Sequence, residues 1–414
     1  MISEKIFVIG GGPAGIMAAI RTAQLGKKVV LVEKNSQLGV KLLLTGKGRC
    51  NITNACDFDT FLNHFSKNGQ FLRDSFKKFF NYDLIDFFEK RGLKLKTERQ
   101  QRIFPVTDRS KSVVDVLLGE LKKNNVTIRY NLCIKDIITE NNSVKKIIFD
   151  NNEVIETSKI ILATGGISYG FTGSTGDGFK IAKKLEHKVM PLRPGLVPLE
   201  TLEKFPRILR GLTLKNIKIK FKTEKKEIIS EIGELLFTDF GISGPLVLTL
   251  SGNVVDWLNV HKKVYAEIDL KPALSSEQLK NRINKEFELT PNRAVANVIR
   301  SFMPKALVSV FLEIAKIEKG RKISQITKSE KEKIVILFKT FPLTIVKAGS
   351  LNHAMVTQGG ISLKDINPKT MESRITKGLY FAGEMIDIAA DTGGFNLQAA
   401  FSTGYLAGES AAQN

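Results

Sequence analysis

The chain has 414 residues, 43% of them hydrophobic, three cysteines and a formal net charge of +21 at pH 7. That length exceeds what one core usually supports, so two or three domains are expected, and no apolar stretch reaches the roughly 18–20 residues of a membrane-spanning helix. Cys50, Cys56 and Cys133 lack metal-ligand spacing and cannot all pair, which argues against a disulfide framework and for a reducing, cytoplasmic setting. The positive charge fits either a polyanionic partner or compositional drift in a Lys-rich chain.

Ile6-Phe7-Val8-Ile9 is too short for a helix and the right length for a buried strand, whereas Ile16 to Arg21 reads as a helix. Between them lies Gly10-Gly11-Gly12-Pro13-Ala14-Gly15. Gly10 permits a sharp turn, Gly12 lets backbone approach a pyrophosphate, and Gly15 lets helix and strand pack closely, so the helix N-terminus faces phosphates. With glycines and then an acid following it, the apolar N-terminus is read as a first strand and not as a secretory segment. Lys28 to Val32 predicts a second strand ending at Glu33, about 20 residues on, where an acid accepts hydrogen bonds from a ribose.

The stretch Leu38 to Asn54 has no clear periodicity. Gly46 and Gly48 permit close backbone approach, and Lys47, Arg49, Asn51 and Asn54 supply donors for an anion, so the loop is expected to lie along a ligand. Within it Cys50 is either a proton donor beside a cofactor or a small buried filler. Residues 58–91 read as helical, their phenylalanines as core, and Asp108 or Ser110 is expected to cap a helix over 111–123. Short strands at 127–130, 134–139, 144–149 and 154–157, with Asn151-Asn152 at a turn, predict a β-meander inside the nucleotide domain. A buried strand then ends in Ala163-Thr164-Gly165-Gly166. Asp177, in Thr175-Gly176-Asp177-Gly178, is either an N-cap or a ligand contact for the helix over 179–185.

From Met190 the chain changes character, and Pro191, Pro194, Gly195 and Pro198 suggest a domain boundary. Asn216 to Lys222 alternates strictly, placing Lys218, Lys220 and Lys222 about 6.6 Å apart per two-residue step. They form either an ordinary solvated face or a row that tracks a nucleic-acid backbone. A strand enters the turn before Pro245, a helix follows over 246–253, and 264–270 is a further strand. Residues 276–340 switch to helical periodicity with Gly320 as a stop, and 277–339 carry 14 Lys and Arg against 7 Asp and Glu. The end of the chain returns to the first domain's vocabulary: a strand closing on Gly383-Glu384, then Gly393-Gly394 opening a helix with Asn396 and Leu397. Such a helix aims its N–H groups at developing negative charge.

Over nearly its whole length the chain resembles the BaiN/RdsA (YhiN-type, aminoacetone-oxidase-like) family of NAD(P)/FAD-dependent oxidoreductases. The resemblance rests on Gly10 to Gly15 with Glu33-Lys34, Thr45 to Asn54, Ala163 to Gly166, Thr175 to Gly178, Leu236 to Pro245, Val356 to Ile361, Thr370 to Ser373, Leu379 to Glu384 and Thr392 to Ala400. Its most specific strings are Gly-Arg-Cys-Asn and Phe-Thr-Asp-Phe-Gly-Ile-Ser-Gly-Pro. One departure is Asp387-Ile388-Ala389-Ala390-Asp391, where members commonly carry Asp-x-x-Gly followed by Tyr or Trp.

The resemblance implies an α/β fold: a glutathione-reductase-like Rossmann FAD domain (1–190 and 357–414), an inserted β-barrel-like domain (191–275 and 341–356) and a helical insertion (276–340). Its implied cofactor shell is Gly10, Gly12, Pro13, Ala14, Gly15, Glu33, Lys34, Lys41, Thr45, Gly46, Gly48, Arg49, Cys50, Asn51, Ala163, Thr164, Gly165, Gly166, Asp177, Gly383, Glu384, Gly393, Gly394, Asn396 and Leu397. The helix after Gly394 would face flavin N1 and O2. Members are associated with reduction of uridine to dihydrouridine in large-subunit ribosomal RNA, with reduction of steroid-like enones and with oxidation of a small amino-ketone. The leading expectation is the RNA reductase, with Cys50 as proton donor and Lys218, Lys220 and Lys222 on the polyanion. The alternatives are a small-molecule oxidase or reductase and a non-catalytic flavin-containing RNA-binding protein. No second GxGxxG follows a strand, so no separate nicotinamide domain is expected, and the reductant is either NAD(P)H bound transiently at the flavin or another protein. The histidines His64, His187, His261 and His353 are expected to be structural or exposed.

Overall fold

The computed structural model describes residues 5–65 and 68–413. Residues 1–4, 66, 67 and 414 of the expected FAD domain lie outside the described residues. The chain divides into two compact units, Met1–Gly195 with Ala354–Asn414, and Leu196–His353. Among the described residues no helix is long and apolar enough to cross a membrane.

The first unit is built on a five-stranded parallel sheet in the order Leu379–Phe381, Ile160–Leu162, Ile6–Ile9, Val29–Val32, Thr127–Arg129. All of its strands but the edge strand Thr127–Arg129 are continuous apolar runs buried at every position, as a parallel sheet covered on both faces requires. From Ile6–Ile9 the chain builds outward first to one side and later to the other. The switch point therefore lies between Ile6–Ile9 and Ile160–Leu162, and ligands of open α/β sheets bind beyond the carboxyl ends of strands at such a point.

Helix Pro13–Gln24 leaves the first strand and packs along helix Phe395–Gln413. Small residues allow the approach. A Cβ on Gly404 would stand 2.2 Å from the Ala14 carbonyl oxygen, and one on Gly408 2.4 Å from that of Ala18. The Thr22 hydroxyl donates to the Gly408 carbonyl across the same seam at 3.0 Å.

Three local expectations are corrected. Residues 58–91 break into Phe58–Asn63, Gly69–Leu72, Arg73–Lys78 and Asn81–Glu89, because Phe79 is extended and the buried Asn81 amide donates to the carbonyls of Asn54 and Cys56. Their phenylalanines are core: the Phe76, Phe80 and Phe395 ring centroids lie 4.8–5.3 Å from that of Phe61. The second correction is that Thr127–Arg129 joins the parallel sheet, which leaves a three-stranded meander of Ile134–Glu140, Ser143–Phe149 and Val154–Glu156. Third, helix Ser110–Lys123 has no side-chain cap, since Asp108 turns to Arg49 and Lys96 and the Ser110 hydroxyl donates to the Leu43 carbonyl.

In the second unit six antiparallel strands close a ring: Thr213–Lys222, Gly233–Phe237, Gly241–Ser243, Leu199–Thr201, Phe341–Ala348, Val264–Asp269 and back to Thr213–Lys222. Helix Pro245–Leu258, longer than the sequence suggests, packs on this ring. Helices Ser276–Leu289, Val295–Ile299, Lys305–Ala315 and Lys328–Lys339 have no separate core. Leu279, Phe287, Phe311 and Phe338 belong to the same apolar cluster as Ile268 and Phe341 of the ring. Gly320 stops no helix; Lys305–Ala315 ends at Lys316, which takes the left-handed conformation at φ +60°.

Candidate active site

The first turn assigns a separate job to each glycine. Gly10 has φ +107°, and a Cβ there would stand 2.4 Å from the Ala163 carbonyl oxygen; on Gly15 it would stand 1.8 Å from that of Gly10. These two are packing glycines. A Cβ on Gly12 meets nothing within 4 Å and would project into open space before the helix. Pro13 takes a first-turn position where a missing N–H costs nothing. The first helical bond runs from Ile16 to Gly12, so the Ala14 and Gly15 amides stay at the helix mouth. Beside the turn, Glu33 accepts from the Gly11 amide at 2.7 Å and from the Asn35 amide at 2.8 Å. Each oxygen keeps a second lone pair, so the acid is fixed in orientation and can still accept from a diol.

Ion pairs stiffen the surroundings. Lys34 donates to Asp177 at 2.8 Å and to Thr175 at 2.6 Å. Asp177 is the first helical residue, after Gly176 as N-cap, so the capping reading is corrected. Burial pushes its carboxyl up, but Lys34 and Thr175 more than offset this and hold it below the usual range. Lys41 bridges Glu384 and the Ser168 hydroxyl, both at 2.7 Å, while Glu384 also accepts from the Thr357 amide at 2.7 Å and from Ser168 at 3.0 Å. The Thr357 hydroxyl accepts in turn from the Ile167 and Ser168 amides. A Cβ on Gly166 would stand 2.2 Å from that hydroxyl oxygen, which excludes larger residues. Sequence reasoning left Ser168 and Thr357 unassigned, although Thr357 lies in the Val356 to Ile361 string.

The loop after Leu44 reaches positive φ at Gly46, Lys47 and Cys50. The Arg49 guanidinium is held by Glu98 and Asp108 and lies 4.3 Å from the Phe104 ring centroid, so its charge is already answered within the protein. Cys50 has no exposed surface, and burial pushes its thiol up to about 12, with Thr45 slightly offsetting. An enclosed thiol that burial keeps protonated matches the buried-filler reading of Cys50 and speaks against the proton donor. The Asn51 side-chain oxygen is buried with no hydrogen-bond partner among the described residues, an acceptor that a ligand donor would satisfy.

That loop meets the mouth of helix Phe395–Gln413. Thr53 donates to Gln398 at 2.6 Å, Asn54 donates to the Gly393 carbonyl at 3.2 Å, and a Cβ on Gly394 would stand 2.4 Å from the Thr53 carbonyl oxygen. Asn396 is turned away from the mouth, bonding both the amide and the carbonyl of Ala390 and the carbonyl of Asp391. It clamps the loop 387–391. His64 closes the other side: its Nδ1 lies 3.0 Å from Asp391, and its ring stacks 3.9 Å from that of Phe395. Burial pushes the Asp387 carboxyl up, with Arg193 and Asn68 partly offsetting. Only the departure from the family pattern drew attention to this loop in the sequence.

The lysine row is present, with Ile217, Ile219 and Phe221 buried between its members. Lys220 stands 3.1 Å from Glu267, Lys222 is hydrogen-bonded to the same carboxylate, and Lys218 is paired in register with Asp269. The strand Val264–Asp269 thus answers much of the row's charge.

Two helix mouths, an oriented acid, a glycine opening onto free space and an unpartnered acceptor fit FAD as cofactor. The fold and the donor set define an oxidoreductase built on an FAD-binding Rossmann domain. The chain belongs to the HI0933-like protein Rossmann domain family, whose model matches residues 4–410. It is 30% identical over 99% of both chains to a 3-dehydro-bile acid delta(4,6)-reductase of Clostridium scindens. It is also 30% identical, over 97% of both chains, to a ribosomal RNA dihydrouridine synthase of Haemophilus influenzae, and 28% identical, over 96% of this chain and 95% of the other, to one of Escherichia coli. Among solved structures, 3-ketosteroid delta1-dehydrogenase of Sterolibacterium denitrificans shares the fold at TM-score 0.54 and 12% identity, covering 99% of this chain and 100% of that one.

Proposed function

We propose that this oxidoreductase reduces uridine to dihydrouridine in large-subunit ribosomal RNA, in the cytoplasm. The observation that carries the reading is end-to-end likeness to two ribosomal RNA dihydrouridine synthases in a chain of net charge +21. When bound, FAD supplies the hydride, and NAD(P)H is the proposed transient reductant. Uracil C6 is β to the C4 carbonyl, so hydride arrives at C6 and a proton at C5.

The chain's own residues hold and orient. The mouth of Pro13–Gln24 binds the pyrophosphate and Glu33 the adenosine ribose, while Lys41 and Glu384 fix the strand ends between them. The mouth of Phe395–Gln413 would receive the ring end of the flavin, where its N–H groups and positive dipole end would favour negative charge. Asp387 opens the loop that Asn396 holds beside the start of Phe395–Gln413, and its carboxyl, raised by burial, is the proposed proton source for C5.

A second reading is supported by the 30% identity to the bile acid reductase: the same addition of hydride and proton, made to a small enone. Mass spectrometry of ribosomal RNA from a deletion strain separates the two. Loss of one dihydrouridine supports the RNA reading; unchanged dihydrouridine, with enone reduction by the purified protein, establishes the other.

A further inference from the structure

Within the second unit, a two-residue antiparallel bridge between Ala294 and Lys322 draws together two basic segments that are far apart in sequence. The Val295 amide donates to the Arg321 carbonyl at 2.8 Å, the Ile323 amide to the Arg293 carbonyl at 3.0 Å, and the Ala296 amide to the Lys319 carbonyl at 3.4 Å. Arg300 caps the C-terminal end of helix Val295–Ile299, one turn beyond Ala296. The bridge thus brings the backbones at Arg293, Lys319 and Lys322 together, with Arg300 at the far end of the short helix that leaves it, and all four side chains are exposed.

Beneath them Val295, Ile299, Ile317 and Ile323 are buried, so the cations stand on a packed base and not on a loose loop. None of the four forms an ion pair among the described residues. The nearby Arg321 differs, being held by Glu330. The carboxylates closest in sequence, Glu313 and Glu318, are exposed, and neither forms an ion pair with these cations among the described residues. No exposed aromatic ring lies within 293–322, so the surface suits phosphate charge and not base stacking. The lysine row on Thr213–Lys222 contrasts with it, because Glu267 already answers Lys220 and Lys222.

Resting on the RNA reading above, we infer that Arg293, Arg300, Lys319 and Lys322 form the surface that docks the phosphate backbone of the ribosomal RNA substrate, while the row Lys218, Lys220 and Lys222 contributes little. The docking is sequence-independent. It raises the local concentration of RNA, and base selection is left to the flavin site.

The test measures binding of the flavin-loaded full chain to a transcribed large-subunit ribosomal RNA fragment across a salt series. Each phosphate contact contributes about 0.7–0.9 to the slope of log K against log salt. The variant R293Q/R300Q/K319Q/K322Q should lose about 3 from that slope and bind about tenfold or more weakly near 0.1 M salt, with unchanged flavin content and melting temperature. K218Q/K220Q/K222Q should stay within about one slope unit of the parent. Equal slopes for the parent and the quadruple variant overturn the inference, as does retained RNA binding with selective loss of binding to vesicles of anionic lipid. The two proposals fail separately. A deletion strain with normal dihydrouridine refutes the RNA activity, whereas restoration of dihydrouridine by a quadruple variant with parental RNA affinity refutes the docking surface alone.

Discussion

The two units treat charge in opposite ways. Around the nucleotide turn four cations are matched: Lys34 by Asp177, Lys41 by Glu384, Arg49 by Glu98 and Asp108, and Arg21 by Glu409 at 2.5 Å. On the second unit Arg293, Arg300, Lys319 and Lys322 stand unmatched on a rigid base. A site that works through backbone N–H groups needs its side chains locked, because small shifts misdirect the donors. A surface that meets a charged polymer needs its cations free. Charge total alone does not distinguish the two; pairing does.

The sharpest way to break the comparison lies in the turn. Gly15→Ala should destabilise the first unit by about 3 kcal/mol or more, seen as a lower melting temperature, because its Cβ meets the Gly10 carbonyl. Gly12→Ala should leave apoprotein stability within about 0.5 kcal/mol and abolish flavin retention, since its methyl fills only the open space. Equal melting losses for both would show that Gly12 is also a packing glycine.

Asp387→Asn should lower turnover about 100-fold at unchanged flavin content. Because burial raises its carboxyl, the neutral acid persists to higher pH than in an exposed Asp, and the rate should fall as pH rises through that value. A parental rate in the variant removes Asp387 from the chemistry. Lys41→Met leaves Glu384 its Ser168 and Thr357 donors, so the cost is about 1 kcal/mol after solvent screening, read as flavin dissociation about fivefold faster.

Glu267→Gln probes the other side. Freeing Lys220 and Lys222 should steepen the RNA salt slope by about one unit, and no change would leave the row without an RNA role even when released. The smallest effect concerns Cys50. Its thiol sits at about 12 against an ordinary 9.0, so its contribution to stability is complete below pH 9 and is lost as pH rises toward 12. Native protein at pH 8 should alkylate at the partly exposed Cys133 and leave Cys50 unlabelled.

What the sequence disclosed is what depends on local pattern. The apolar runs of Ile6–Ile9 and Val29–Val32, the spacing of Gly10, Gly12 and Gly15, and Glu33 at the second strand end are short-range signals, and the structure gives each glycine the space its role requires. Partner choice across long separations was hidden. Arg49 reads as an anion donor until Glu98 and Asp108 are brought beside it, and Lys220 reads as free until strand Val264–Asp269 delivers Glu267. Thr357 shows no local motif of its own and gains meaning only through Glu384 and Ser168. The break in 58–91 follows from the Asn81 amide, whose acceptors lie more than 20 residues upstream.

The seam between Pro13–Gln24 and Phe395–Gln413 bears on the order in which the protein can be made. The nucleotide turn emerges from the ribosome early, whereas Leu379–Phe381, Gly383-Glu384 and the helix that presses Gly404 and Gly408 onto Ala14 and Ala18 emerge only after the whole second unit. Until then one helix mouth exists without the other, and a nascent chain can offer the cofactor only its adenosine end. On the proposed site, flavin loading would wait for the end of the chain, and a chain stalled before residue 379 would lack the helix that completes it.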